Sequence, residues 1–163
     1  MSEVEAQRAS YARTASQYDA MHVEEGDEHY RALDWLSNLI TQNDIKSLLD
    51  IGSGTGRTIR YLKDRHPIRY LGIEPVEALR VAGHAKGVPA DELADGNALA
   101  LDFADDSFDV VCEFGVLHHV KDHRRAVAEM CRVASRGVFL STMASTGPSF
   151  YRHAPHLAVF ATR

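Results

Sequence analysis

A short apolar run ending in three alternating glycines constrains this chain more than any other feature of it. Ser47-Leu48-Leu49-Asp50-Ile51 passes directly into Gly52-Ser53-Gly54-Thr55-Gly56, and a helical pattern follows from Arg57 to Arg65, stopping before Pro67. Glycine permits backbone angles and close approaches that a Cβ blocks. A strand that hands over to a helix through such a turn leaves the first helical N–H groups facing outward, where they can hold a ligand. The spacing matters. A dinucleotide fingerprint, G-x-G-x-x-G, needs glycine at 57, where Arg57 stands, and a Walker loop needs a Gly-Lys-Ser/Thr ending that is absent. By itself the turn also fits a plain strand-to-helix connection.

The rest of the chain repeats the alternation. Arg69 to Ile73 reads as a second strand, followed by a turn at Pro75 and a helix to about His84. Val88 to Leu93 reads as an edge strand, because Pro89, Asp91 and Glu92 are tolerated only there. Phe108 to Phe114 has the apolar character of a strand covered on both faces. Asp122 is placed to cap a helix carrying Ala126, Val127, Met130, Cys131 and Val133; Gly137 is expected to end it, with Val138 to Ser141 beginning another strand. Such alternation predicts an α/β fold, a doubly wound and mostly parallel sheet. Ahead of it, Ser2 to Ala20 has helical composition with few apolar contacts, and His22 to His29 forms an acidic loop. Tyr30 to Ile40 reads as an amphipathic helix with Leu33, Leu36, Leu39 and Ile40 on one face and Trp35 expected in the core.

Charge narrows the function classes. The net charge is −5, and residues 1–30 carry all of it, with two basic and seven acidic side chains; residues 31–163 hold 16 of each sign. No basic block exists to grip a phosphate backbone or a membrane surface, so neither nucleic acid nor membrane is expected as the partner. Two cysteines, Cys112 and Cys131, make no disulfide framework, and the acidic start has no secretory pattern. The expectation is a reduced, cytoplasmic protein. Its 163 residues, 45% apolar and 25% charged, suit one domain.

Glu74 adds a second functional signal. It ends the second strand in Gly72-Ile73-Glu74-Pro75. In an open α/β sheet that position sets its carboxylate beside the glycine turn, able to accept from both hydroxyls of a ribose. A solvated loop acid is the alternative.

Five segments now stand in order: Leu49-Asp50-Ile51-Gly52-Ser53-Gly54-Thr55-Gly56; Gly72-Ile73-Glu74-Pro75; Gly96-Asn97-Ala98 with Leu101; Asp106-Ser107-Phe108-Asp109-Val110-Val111; and Val116-Leu117-His118-His119-Val120. Together they resemble the class I S-adenosylmethionine-dependent methyltransferases of the small-molecule type, over about residues 10 to 142. The resemblance implies strand order 3-2-1-4-5, S-adenosylmethionine as cofactor and S-adenosylhomocysteine as product. It implies that the turn (Gly52, Ser53, Gly54, Gly56) approaches the methionine part of the cofactor. Asp50 would help receive its ammonium group and Glu74, beside Pro75, its ribose hydroxyls. Where relatives have Gly-Asp-Ala, with aspartate accepting from the adenine amino group, this chain has Asn97. An asparagine oxygen can accept the same bond, Asp95 being the alternative. Ala98 would offer its backbone N–H to the adenine ring. Glu113 is expected to line the pocket or to be a strand-end acid in water. Tyr18, with Tyr11, matches an N-terminal segment that covers the cofactor in relatives, simple helix docking being the alternative role; residues 1–43 are expected to form a helical lid and 44–142 the cofactor-binding core of a domain spanning 1–163.

The acceptor implied is a small-molecule O, N or C nucleophile. Two other readings stay open: a cofactor-binding module without turnover, and an NAD-type Rossmann enzyme, the latter disfavoured by Arg57. No catalytic residue is conspicuous. His118 and His119 are the base candidates, with packing the competing role; with His123 they suggest a metal, but no nearby acid completes a ligand set and no metal is expected. Beyond Ser141 relatives continue into a helix and an antiparallel strand pair. Here the antiparallel part is expected to be shortened or missing, with Leu157 to Thr162 as one closing strand or the chain stopping mid-fold.

Overall fold

The computed structural model describes residues 28–142 and 157–162. Helix α1 (Glu28–Gln42) is followed by β1 (Ser47–Ile51), α2 (Arg57–Lys63), β2 (Arg69–Ile73), α3 (Glu77–Ala85), β3 (Leu93–Ala94), β4 (Phe108–Phe114), α4 (His123–Val133), β5 (Ala134–Thr142) and β6 (Leu157–Thr162). The sheet order is β3-β2-β1-β4-β5-β6. β1 to β5 run parallel, in the expected order 3-2-1-4-5, and β6 pairs antiparallel with β5. Among the described residues one antiparallel strand lies at this edge. Strands β1, β2 and β4 end level, with Ile51 opposite both Ile73 and Glu113. Every loop that follows them opens on the same edge.

Strand alternation decides what each face buries. Leu48, Val110, Cys112 and Phe139 face Leu36 and Ile40 of α1 and Ile59 and Leu62 of α2. Leu49, Ile51, Val111 and Val138 face Met130 and Val133 of α4. Polar ties fix the register at the opposite end. Asp109 Oδ2 accepts from the N–H groups of Lys46 (2.6 Å) and Ser47 (3.2 Å), while Ser47 Oγ accepts from Asp109 N–H (2.9 Å).

Four local expectations are corrected. Val88 to Leu93 is not the edge strand. A turn from Pro89, in which Glu92 N–H donates to the Pro89 carbonyl, delays pairing until Leu93 meets Gly72. Gly137 does not end α4; the backbone turns extended at Ala134, and Gly137 lies inside β5 opposite Val110. Between Phe108–Ala134 and Val110–Gly137 the strand β5 carries one extra residue, a bulge that absorbs the early start. Trp35 is 60% exposed, not core. The buried stripe of α1 runs through Ala32, Leu33, Leu36 and Ile40, and position 35 falls off it. The histidine pair is also not packed inside: His118 and His119 are exposed on a short 3₁₀ turn. The expected helix over Ser2 to Ala20 lies outside the described residues.

Gly83 shows how tightly α3 seats on the glycine turn. A Cβ there would stand 2.8 Å from the Thr55 carbonyl oxygen and 2.7 Å from Leu93 Cδ2. In an exposed helix, glycine to alanine stabilises by about 1 kcal/mol. Here Gly83→Ala is expected to lower the free energy of urea unfolding instead; a stabilised variant would show that α3 does not sit against the turn.

Candidate functional site

A cavity of about 330 Å³ opens at the carboxyl edge of the sheet. Its floor is Ile51 and Gly52 at the end of β1, with Glu74 and Pro75 after β2 on one side, Asn97 and Ala98 after β3 above them, and the 114–121 loop opposite.

The glycine turn is held from two directions. Gly52, Gly54 and Gly56 all have positive φ, at 67°, 58° and 71°. Gly52 must also lack a side chain, since a Cβ would lie 2.4 Å from Val116 Cγ2 on the opposing loop. From β2, the buried carboxylate of Glu74 accepts from Gly54 N–H through Oε2 (3.0 Å) and from Val76 N–H through Oε1 (2.9 Å). Each carboxylate oxygen can accept more than one hydrogen bond, so a cavity-facing Glu74 can also take ligand hydroxyls.

Asp50 sits behind the turn. Being two residues from Leu48 it shares that strand face, and it accepts from Ser53 Oγ (2.7 Å), the Thr58 side chain and Cys112 Sγ (3.6 Å). Burial pushes its carboxyl up from 3.8 to about 6, against those hydrogen bonds, which favour the charged form. Cys112 is buried beside it, and burial pushes the thiol up as well. Both roles are structural: the carboxyl joins the turn to the first residues of α2.

Glu113 is fully buried at the end of β4 and does not line the cavity; its Oε2 accepts from Val116 N–H (2.7 Å) and Leu117 N–H (3.3 Å). It thus folds the loop that carries Val116 onto Gly52. Burial raises its pKa, and those N–H donors oppose the rise. His119 lines the cavity and His118 does not. Desolvation lowers the pKa of both imidazoles, so each is neutral at pH 7.

Of the residues singled out in the sequence, Gly52, Glu74, Pro75, Asn97, Ala98 and His119 come together around the cavity. Asp50, Ser53, Gly54, Gly56 and Glu113 form its supports. Tyr18 lies outside the described residues. Asn97 Oδ1 accepts from Leu99 N–H (2.9 Å), which bends the chain over the cavity and leaves the oxygen a second lone pair. Asp95 is instead exposed and paired with Arg80 (2.8 Å), away from the cavity wall. Sequence reasoning missed the apolar wall of Val76, Leu79 and Leu99, which adjoins Val116. Its one signal was that each directly follows, or lies one helical turn beyond, a loop already singled out.

Residues 49–142 match the family described as "Methyltransferase domain". The chain belongs to the S-adenosylmethionine-dependent methyltransferases. It is 36% identical over 139 residues to the ubiquinone/menaquinone biosynthesis C-methyltransferase of Paracoccus denitrificans, covering 78% of this chain and 54% of that one. It is 35% identical over 97 residues to norajmaline N-methyltransferase of Rauvolfia serpentina, covering 56% of this chain and 33% of that one. Among solved structures, a sugar N-methyltransferase from a Streptoalloteichus species superposes with TM-score 0.67 at 25% identity, over 83% of this chain and 57% of that one. A Micromonospora amino-pentose methyltransferase, solved with S-adenosylmethionine bound, gives TM-score 0.66 at 25% identity, over 79% and 57% of the two chains. This methyltransferase chain thus spans about a third to a little over half the length of these relatives.

The raised pKa of Asp50 has a defined consequence for stability. Below pH 3.8 the group is protonated folded or unfolded; between 3.8 and about 6 the unfolded state loses the proton first, so the group's contribution falls as pH rises. Two pK units correspond to about 3 kcal/mol. Urea unfolding of the wild type, measured against Asp50→Asn, is expected to lose about that much relative stability between pH 4 and pH 7. A difference independent of pH would contradict a buried, ionisable Asp50.

Proposed function

We propose that this protein transfers the methyl group of S-adenosylmethionine to a small-molecule O, N or C nucleophile, releasing S-adenosylhomocysteine. The observation that carries the reading is the Glu74 carboxylate, tied to Gly54 N–H while lining the cavity beside Gly52. The site suits the cofactor on its own chemistry. Glu74 offers acceptors for ribose hydroxyls, Asn97 an acceptor for the adenine amino group, and Val76, Leu79 and Leu99 apolar surface for the base. The turn presents its backbone to the methionine portion where Gly52 lines the cavity, and Asp50 acts on it through Ser53 and the turn.

When bound, the cofactor supplies an already electrophilic methyl group on a sulfonium. The chain's task is therefore alignment of the acceptor with that methyl, an entropic effect that can reach several kcal/mol. A base is needed only for an acceptor that must lose a proton. His119, neutral and on the cavity wall, is the residue placed to take it; His118 neighbours it with ring centroids 3.7 Å apart. The relatives named above, which include N- and C-methyltransferases and a sugar N-methyltransferase, support a small-molecule acceptor. In the same reading 44–142 is the cofactor-binding core, onto which α1 packs through Leu36 and Ile40, while residues 1–27 of the expected lid, Tyr18 among them, lie outside the described residues. A cytoplasmic location belongs to this reading as well, supported by Cys112 and Cys131 forming no disulfide with each other. No helix among the described residues is long and apolar enough to cross a membrane.

Calorimetry with S-adenosylmethionine, S-adenosylhomocysteine and NAD tests the reading: the first two should bind and NAD should not, with methyl transfer then measured against candidate acceptors. Binding of NAD alone would overturn it; cofactor binding with no transfer to any acceptor would favour the binding-module alternative. Glu74→Ala is expected to weaken S-adenosylhomocysteine binding by about 1–3 kcal/mol. An unchanged affinity would remove Glu74 from the site. Asn97→Leu should cost about 1–2 kcal/mol of that binding, whereas Asp95→Ala should cost little. The reverse pattern would transfer the adenine contact to Asp95.

A further inference from the structure

The most completely bonded side chain in the described structure lies outside the cavity. Arg132, on the last turn of α4, uses all five of its guanidinium N–H donors. Nε donates to Glu129 Oε1 (2.9 Å), Nη1 to the Phe103 carbonyl (2.7 Å) and Asp105 Oδ1 (2.9 Å), and Nη2 to the Leu101 carbonyl (2.9 Å) and Glu129 Oε2 (2.9 Å). Glu129 completes the clamp by accepting from Leu101 N–H at 2.9 Å, so Leu101 is held by both its backbone groups. Asp106 N–H donates to the Arg132 carbonyl (3.0 Å). The hydrogen bonds from Arg132 and Leu101 hold the Glu129 carboxyl down at about 2, so the ion pair is intact throughout the neutral range.

These bonds grip the stretch directly after Asn97-Ala98-Leu99. That stretch has only two residues of strand behind it, in β3, and one internal bridge, Asn97 with Ala100. A short edge strand does little to fix the loop after it. Helix α4 is itself preceded by His119, Val120 and Lys121, which line the facing wall of the cavity. It therefore ties the two walls to each other.

We propose that Glu129 and Arg132 are positioning residues for the cofactor base. Acting through the Leu101 and Phe103 backbone, they hold Asn97 where its oxygen meets the adenine amino group, so part of the preference for adenine resides on a helix that does not touch the ligand. This inference rests on the proposed cofactor site. Arginine, not lysine, is required, because a single ammonium cannot serve five divergent acceptors.

The test is calorimetry of S-adenosylhomocysteine and its inosine analogue, which has a carbonyl in place of the amino group, on wild type, Arg132→Lys and Glu129→Gln. Wild type should prefer the adenine form. Arg132→Lys should weaken the adenine form about tenfold and change the inosine form little, so that the preference largely disappears; Glu129→Gln, which keeps an acceptor for Leu101 N–H, should lie between. General loosening of the fold would weaken both ligands equally. Circular dichroism identifies a variant that does not fold, in which case the other variant decides. A preference unchanged in the folded variants, or equal weakening of both ligands, would overturn the proposal. If wild type binds neither ligand, the cofactor reading fails and the proposal with it; if wild type binds both alike, the cofactor reading stands and only the positioning role falls.

Discussion

The structure depends on a tie between two strand ends. The hydrogen bond from Gly54 N–H to the Glu74 side chain fixes a turn with three left-handed glycines to the end of the next strand. Glycine loses more conformational freedom on ordering than any other residue, so a turn of this kind needs outside restraint. Glu74 supplies it from β2, and Ser53 N–H adds a bond to the Ile73 carbonyl at 3.0 Å. Asp50 supplies it from below, at the expense of keeping a carboxyl buried where its ionisation is opposed. Two acids of similar chemistry thus serve opposite sides of one loop, and only one of them faces the cavity.

The third restraint comes across the cleft. Glu113 folds the loop after β4 so that Val116 touches Gly52, and the absence of a side chain at Gly52 leaves room for that contact. Floor and wall of the cavity are therefore shaped by the same buried carboxylates that end the central strands. This explains why a site made of loops can be firm: each loop is anchored within a few residues of the sheet by a hydrogen-bonded acid.

The β3 side is built differently. Its strand is too short to position the 95–107 connection, and the task passes to α4, whose Glu129 and Arg132 reach across to Leu101, Phe103 and Asp105. A helix that packs Met130 and Val133 into the sheet thereby also carries information from the rigid core to the loop above the cavity.

The sequence by itself determined the alternation of strands and helices, the parallel sheet, the cap at Asp122, confirmed by its hydrogen bond from Arg125 N–H at 3.0 Å, and the cluster of Gly52, Glu74, Asn97 and Ala98 at one sheet edge. The elements, the cap, the glycine turn and Glu74 follow from local patterns of period two or 3.6 and from the rule that loops after parallel strands share an edge, whereas Asn97 and Ala98 follow from the resemblance to the methyltransferase family. Tertiary structure alone decided the rest. Whether Asp50 and Glu113 face a ligand or the backbone depends on which neighbouring chain offers N–H and O–H donors, and those donors lie on Ser53, Thr58, Val116 and Leu117 after folding. Trp35 is exposed because a neighbouring stripe of the helix already fills the core. Val88 to Asp91 fails to pair because the turn at Pro89 sets where the chain can first reach Gly72, whose N–H donates to the Glu92 carbonyl (2.8 Å). The Arg132 clamp joins residues 27 to 31 positions apart, a separation that no local pattern encodes.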